Sequence, residues 1–356
     1  MVSRLRNPVE MLEVYPVSRS RVTLADLAQA AGVSRTTASL VMTGRGRELR
    51  ISHDVEQRVL RAANELGYRP NAVSVGLRTG TSRTIGFVSD TVATSRLAGD
   101  MIKGALEAAR ERGVMLFIGE TEGDPELERG LLHAMQDRQV DGIILAAMYT
   151  RTITVPKDIG PAVLLNALPR PASPLPSIVP DEVEAGRSAA RVLLEAGHRE
   201  DVYLIGAGPR ARDVPADRVA AVERLSGIEE TGLRIAGART CADWQPEEGL
   251  AATRSLLADH RPRALICLND RLALGAYQAL GDAGLSVPRD VSVVSFDDHP
   301  IASWIRPKLT TVALPHYELG RKAVEVLFAQ MGEEAEPGRV HRVAMPVRHR
   351  ESVAPA

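Results

Sequence analysis

The run Thr23-Leu-Ala-Asp-Leu-Ala-Gln-Ala-Ala-Gly-Val-Ser-Arg-Thr-Thr-Ala-Ser-Leu-Val-Met42 decides how the first part of this chain is read. Thr23 and Asp26 have the spacing of a capping box, in which hydroxyl and carboxylate satisfy each other's orphan backbone amides. The helix they open, Leu24–Ala31, places Leu24, Leu27, Ala28 and Ala31 on one face. Gly32 follows, the residue that enters the left-handed region most cheaply and so ends one helix and turns toward the next. Ser34 is placed to cap a second helix, Arg35–Met42. Two short helices joined by a glycine-containing turn form a helix-turn-helix motif. Ser52 starts a third helix, with Val55, Val59, Ala62, Ala63 and Leu66 inward and Gly67 as its stop. Tyr68-Arg69-Pro70-Asn71 then breaks the chain. Asn71 is positioned to cap a short helix, Ala72–Leu77, ahead of a polar linker, Thr79–Arg83. Such a helix is well below the roughly 12–15 residues that hold together alone in water, so it needs a partner.

From Thr84 onward apolar strand-like runs alternate with amphipathic helices. Ile85–Val88, helix 99–112, Val114–Ile118, helix 125–138, Gly142–Ala146 and Val163–Leu165 make one series. Helix 184–196, Val202–Ile205, helix 215–230, Leu233–Ala236, helix 246–259, Ala264–Leu268, helix 270–283 and Val291–Phe296 make a second. This alternation predicts parallel sheets wrapped on both faces, one for each of two lobes. The fold class expected is an all-α helix-turn-helix headpiece followed by a two-lobed α/β body of two doubly wound parallel sheets. The expected division is a disordered arm at 1–20, the headpiece at 21–69, a hinge helix and linker at 70–83, and the body at 84–356. Within the body, the first lobe takes about 84–178 and 308–332, and the second about 179–307 and 333–356.

Charge divides the chain in the same place. The net charge is −1, but residues 1–83 hold thirteen arginines and seven acids, leaving them at +6 and the remainder at −7. A basic head on an acidic body points the head at a polyanion, although a solvated basic surface has the same arithmetic. Cys241 and Cys267 stand far apart without metal-ligand spacing, which excludes a disulfide framework and suits a reducing cytosol. The eight histidines also lack ligand spacing. The longest apolar runs fall short of a membrane span, and the first twenty residues do not read as a secretory signal. Ile205-Gly-Ala-Gly-Pro is a broken dinucleotide fingerprint, and there is no nucleophile elbow or phosphate loop. The sequence calls for no cofactor and no catalytic chemistry.

Open parallel sheets bind ligands beyond the carboxyl ends of their strands. Those ends supply Asp90, Asn166, Asn269 and Asp297. Each is also the kind of residue that ends a strand or caps a helix. Asp270 and Asp298 are read as helix caps.

Val22–Val41 and Leu66-Gly-Tyr-Arg-Pro-Asn71 resemble the headpiece and hinge entry of the lac repressor family. Leu268-Asn-Asp-Arg-Leu-Ala-Leu-Gly275, Val291-Ser-Val-Val-Ser-Phe-Asp-Asp298 and Pro307-Lys-Leu-Thr-Thr-Val312 resemble signatures of its periplasmic-binding-protein-like sensor. The resemblance runs from about Arg21 to the end. It implies a sequence-specific transcription regulator, expected to be a repressor. It further implies a homodimer on palindromic operator DNA, working in the cytoplasm on the nucleoid. The switch would be a small molecule, a sugar or its derivative, with purines as the other class. It adds Arg218 and Trp244 to the ligand site. It also makes Leu77 the residue that wedges into the minor groove, unless Leu77 packs between paired hinge helices. A recognition helix at 35–42 nominates Arg35, Thr36 and Leu40 for base edges, with Arg35 either forking onto guanine or holding a phosphate. Thr23, Ser34 and Thr37 are expected on phosphates, Arg45 as an electrostatic contact, and Asn71 near the DNA at the hinge. No leucine heptads follow the last strand, so assembly is expected to stop at a dimer, using surfaces near 99–112 and 270–283. A periplasmic binding protein would have no use for the headpiece. A dehydrogenase would need the complete glycine loop.

Overall fold

The computed structural model describes residues 22–46, 49–71, 76, 80–91, 98–332 and 335–356. The arm, Arg47, and the hinge residues Ala72–Val75 and Leu77 lie outside them. The chain divides into two units, one ending at Ser82 and one beginning at Arg83.

The first unit is built from α1 (Leu24–Ala31), α2 (Arg35–Met42) and α3 (His53–Leu66). Thr23 and Asp26 make both arms of the capping box, and Gly32 sits in the left-handed region at φ 62°. Leu27, Ala28, Ala31, Ala38, Val41, Val59, Ala62 and Ala63 form the core. Two details differ from the sequence reading. Ser52 precedes α3 without a side-chain capping bond, and Leu66, on the last turn, is exposed.

The second unit holds two sheets. In the first lobe β1 (Thr84–Ser89), β2 (Met115–Glu120), β3 (Gly142–Ile153), β4 (Ala162–Pro169), β5 (Ser177–Pro180) and β11 (Val340–Val343) run in the order β11-β5-β4-β3-β1-β2, all parallel. In the second lobe β6 (Val202–Gly206), β7 (Ile235–Thr240), β8 (Ala264–Cys267), β9 (Ser292–Asp297), β10 (Thr310–Ala313) and β12 (Val347–Arg348) run β12-β10-β9-β8-β6-β7, with only β12 antiparallel. Strands β1, β6 and β8 are buried along their whole length, as expected where helices cover both faces of a sheet. Those helices are α4 (Ala98–Glu111), α5 (Pro125–Asp137) and α11 (His316–Met331) in the first lobe. In the second they are α6 (Glu182–Glu195), α7 (Val219–Glu230), α8 (Pro246–Asp259) and α9 (Asp270–Asp282), with the short α10 (Ile301–Trp304) between β9 and β10.

The lobe boundaries need correction. Thr310–Ala313 pairs with β9 and belongs to the second lobe, whereas Val340–Val343 pairs with β5 and belongs to the first. The chain therefore passes between lobes after β5, after β10 and after β11. A four-residue buried run carries no information about its neighbour. An edge strand such as Val-His-Arg-Val, half exposed and charged, carries no apolar signal at all. The helix expected from 215 begins at Val219, after a 3-10 turn at Ala211–Asp213.

Candidate functional site

On the headpiece, Arg35 and Thr36 are exposed at the N-terminus of α2 and Leu40 is half buried one turn on. Ser34 accepts from the Thr37 amide at 3.0 Å, and the two hydroxyls share a further bond at 2.8 Å. One of the two hydroxyl protons is left over for a further acceptor at the helix N-terminus, where backbone dipoles favour an anion. Thr23 is more committed than expected: its hydroxyl donates to Asp26 at 2.8 Å and accepts the Asp26 amide. The Thr23 amide also donates to the Asp26 carboxylate at 2.8 Å, and that bond first, then the hydroxyl's, holds the Asp26 carboxyl below its usual range. Arg45 and Asn71 are both exposed.

In the second lobe three nominated residues converge, and the group at their centre is one the sequence reading passed over. Arg224, on α7, is 2% exposed. Its Nε donates to Glu182 Oε2 at 2.6 Å, Nη2 to Glu182 Oε1 at 3.1 Å, and Nη1 to the Leu268 carbonyl. Asp297 Oδ1 lies 3.6 Å from Nη2. The guanidinium stacks near Phe296 at 4.5 Å and Trp244 at 5.8 Å from the ring centroids. Burial opposes its charge, yet Glu182 and Asp297 hold it more firmly protonated than an ordinary arginine. Burial pushes Asp297 up to about 6 despite the arginine beside it. The Trp244 indole donates to the Gly206 carbonyl at 3.2 Å, and Asn269 donates to the Trp244 carbonyl at 3.1 Å. Asn269 also accepts the Leu272 amide at 2.8 Å, so it is the cap of α9 as well as the anchor of the tryptophan loop.

Other nominations separate. Arg218 is exposed, bonded to the carbonyls of Ala242 at 2.6 Å and Cys241 at 3.4 Å, and does not join the Arg224 cluster. Asp270 is no cap of its own helix. It is fully buried, accepts the His299 amide at 2.7 Å and a bond from the Ser295 hydroxyl, and is pushed up to about 8, by burial first and then by Asp297. Asp298 likewise caps no helix; it pairs with Arg350 at 2.5 Å and Arg348 at 3.5 Å.

In the first lobe Asp90 and Asn166 both serve the carboxyl end of β3. Asp90 accepts the Met148 amide at 3.1 Å and pairs with Arg151 at 3.0 Å. Asn166 is buried, donates to the Ala147 carbonyl at 3.0 Å and accepts from Thr150 at 2.7 Å. Those bonds hold the β3 irregularity between Ala146 and Arg151, which consumes the Asn166 amide. Among the described residues no group of histidine, cysteine and acid could hold a metal ion, and no helix is long and apolar enough to cross a membrane.

Residues 23–71 match the family described as bacterial regulatory proteins, lacI family, and residues 190–353 match a periplasmic binding protein-like domain. The ribose operon repressor of Escherichia coli (strain K12) is 30% identical over 334 residues, spanning 91% of this chain and 94% of the relative. The chain belongs to the lacI family. The transcriptional repressor PurR of Vibrio atlanticus (strain LGP32) is 29% identical, over 93% and 98% of the two chains. Among solved structures, a lac repressor dimer bound to operator and an anti-inducer superposes with a TM-score of 0.77 at 24% identity, over 94% and 99% of the chains. A LacI-family regulator from Rhizobium etli gives 0.64 at 30% identity, over 76% and 99%. This lacI-family member is a DNA-binding transcription regulator with an effector-binding body, not an enzyme.

The arginine was legible in principle. Arg224 and Gly227 lie three apart on α7, and Gly227 is the residue that crosses α6 at backbone contact. The resemblance pointed instead to Arg218, near the start of the same helix, which the structure places at its N-cap.

Proposed function

We propose that this regulator is a homodimer that reads a near-palindromic operator through Arg35, Thr36 and Leu40. In this reading Ser34, Thr37, Thr23, Arg45 and Asn71 take backbone or hinge contacts, and Leu77 supplies the minor-groove wedge. A sugar, bound between the lobes at Trp244, Asn269, Asp297 and Arg224 facing the Asp90 side, switches operator affinity, and the protein acts in the cytoplasm on the nucleoid. The observation that carries the reading is the convergence of an indole, two carboxylates, an amide and a guanidinium at strand carboxyl ends, in a chain that opens with a capped helix-turn-helix. Carboxylates and guanidinium groups fork onto neighbouring hydroxyls, and an indole face packs on the apolar face of a sugar ring. The likeness to a ribose operon repressor supports a sugar. Dimerisation is supported by exposed apolar side chains on α4 and the β2 edge: Leu106 at 44%, Met115 at 64% and Ile118 at 43%. The α9 surface expected to contribute turns most of its apolar residues inward.

Binding-site selection with the full chain, followed by salt-titrated gel shifts, tests this. The expected result is two half-sites about one helical turn apart and an affinity that falls steeply with salt. Arg35→Ala should relax preference at one base pair of each half-site by about 1–3 kcal/mol. A single-half-site footprint would remove the dimer.

A further inference from the structure

On the second lobe, the turn after β6, the end of α7 and the start of β7 enclose a groove of about 670 Å3. Pro209, Leu233 and Ile235 give it an apolar lining, with Leu233 buried. Glu229 accepts the Ala211 amide at 3.0 Å, which ties the turn to α7. Three arginines ring the groove: Arg210 and Arg212 from the turn, and Arg234 from the segment leading into β7. All three are exposed. Among the described residues Arg210 and Arg234 have no ion-pair partner, and Arg212 has only a 3.9 Å approach to Asp213. Arg239, further along β7, is by contrast paired with Asp259 at 3.3 Å. In an acidic body, three guanidinium groups left unengaged around one groove call for an anion.

The groove continues into a sheet edge. β7 is the last strand of its sheet, with no neighbour on its outer side among the described residues. The Cys241 amide bonds the Gly206 carbonyl at 3.3 Å, so by alternation the backbone groups of Gly237 and Arg239 face β6 and those of Ala238 and Thr240 face outward. Open edges are commonly guarded by charge, and arginines alone would serve as guards. A guard needs no apolar trough, however, and the small residues Ala236, Gly237 and Ala238 leave this backbone open to approach. A concentrated anion such as phosphate fits less well, because α7 ends at the groove and its terminal carbonyls carry negative partial charge. Carboxylates spread along an extended chain can meet arginines from two elements while the chain's backbone meets the strand edge.

We propose that this groove docks an extended acidic segment of a partner protein. The segment adds as a strand to the β7 edge, bonding the outward backbone groups of Ala238 and Thr240, and sets its carboxylates on Arg210, Arg212 and Arg234. The site lies on the second lobe alone and does not depend on where an effector binds.

The test is fluorescence anisotropy on the full chain with a fluorescein-labelled peptide that alternates glutamate with valine and threonine. Beside it stand a peptide with proline at every valine, a peptide with lysine at every glutamate, and two competitors, inorganic pyrophosphate and single-stranded oligothymidine. The expected result is that the acidic peptide binds, more weakly as salt rises, and that the lysine peptide does not bind. The proline peptide keeps the charge but lacks the backbone donors, and should bind about tenfold more weakly. Arg210→Ala combined with Arg234→Ala should lose about tenfold in affinity. Ala238→Pro removes one outward donor, leaves the bonds to β6 in place, and should lose a similar factor. Bound peptide should also slow hydrogen exchange at the Ala238 and Thr240 amides. If the proline variant fails to fold by thermal unfolding, exchange at those two amides in the parent carries that arm. Failure of the acidic peptide to bind overturns the proposal. Equal binding of the proline peptide, or unchanged exchange at Ala238 and Thr240, removes strand addition and overturns it as well. Tighter binding of pyrophosphate or oligothymidine, lost in the double arginine variant, assigns the groove to phosphate instead.

Discussion

The second lobe concentrates ionisable side chains where a sheet ends: Arg224, Glu182, Asp297 and Asp270 lie within one connected cluster, and three of them are at most 2% exposed. Burying charge is costly unless it is paired and hydrogen-bonded, and Arg224 meets that condition through Glu182 and the Leu268 carbonyl. Asp270 does not meet it, since its contacts are Ser295, His299 and a neighbouring acid rather than a cation. Its folded-state value near 8 stands well above the 3.8 of an unperturbed aspartate, so between those values the folded chain binds a proton that the unfolded chain has released. Stability from this group therefore falls as pH rises from about 4 to 8, and is flat outside that window. Asp270→Asn keeps an acceptor for the His299 amide and a donor toward the Ser295 hydroxyl. Thermal unfolding across pH 5–9 should show the variant losing this slope and melting above the parent at pH 8. Each kcal/mol corresponds to about 2–4 °C in a protein of this size class. Parallel pH profiles for the two proteins would show that Asp270 is ionised in the fold.

Between elements, the body is held by helix crossings in which a glycine of each helix meets backbone of the other. Gly104 and Gly320 do this for α4 and α11, Gly249 and Gly275 for α8 and α9, and Gly186 and Gly227 for α6 and α7. At the last crossing a Cβ on Gly227 would stand 1.9 Å from the Val183 carbonyl oxygen, and one on Gly186 2.0 Å from that of Arg224. No side chain can yield there, because the obstacle is backbone. The crossing also sets where α7 delivers Arg224 and where α6 delivers Glu182, so packing and site share one cause. Gly227→Ala should cost about 1–3 kcal/mol of stability through overpacking and should weaken effector response beyond that loss by pulling Arg224 off Glu182. Denaturant unfolding gives the first quantity and ligand titration the second. A stability loss with unchanged ligand affinity would separate the crossing from the site. Local sequence made these helices legible through capping residues and periodicity. It did not show which helix each glycine faces, since a glycine inside a helical pattern reads locally only as a weak point.

Across the whole body, the lobes are joined by the crossovers after β5, β10 and β11, and a bidentate pair also spans them. Arg342 on β11 of the first lobe forks onto Glu223 of the second at 2.7 and 2.8 Å. The fork, more than burial opposes it, holds the Arg342 guanidinium firmly charged. Glu223 precedes Arg224, so this clamp and the buried Arg224 cluster sit on consecutive residues of α7. Glu223→Gln should loosen the lobes and shift the effector concentration needed for half response by about 5–150-fold, the range of a typical coupling energy. Operator affinity without effector, measured alongside, reports which lobe arrangement the clamp favours. Hydrogen exchange at the Leu314, Ala344 and Met345 amides that is no faster in the variant would show that the pair does not restrain the lobes.

By itself the sequence determined the parts. Capping boxes, glycine stops and apolar periodicity act within a few residues, so the headpiece helices, the alternation of strands and helices, the two-lobed class and the strand-end acids at Asp90 and Asp297 were all written locally. Tertiary structure decided the pairings. Thr310–Ala313 joined the second lobe and Val340–Val343 the first because strand partners are chosen by long-range packing that a short run does not encode. Asn166 and Asn269 became holders of a bulge and a tryptophan loop because their amides met backbone groups distant in sequence. Arg224 replaced Arg218 at the centre because a buried guanidinium needs acceptors converging from several elements, and only the folded chain brings Glu182, Leu268 and Asp297 to one point.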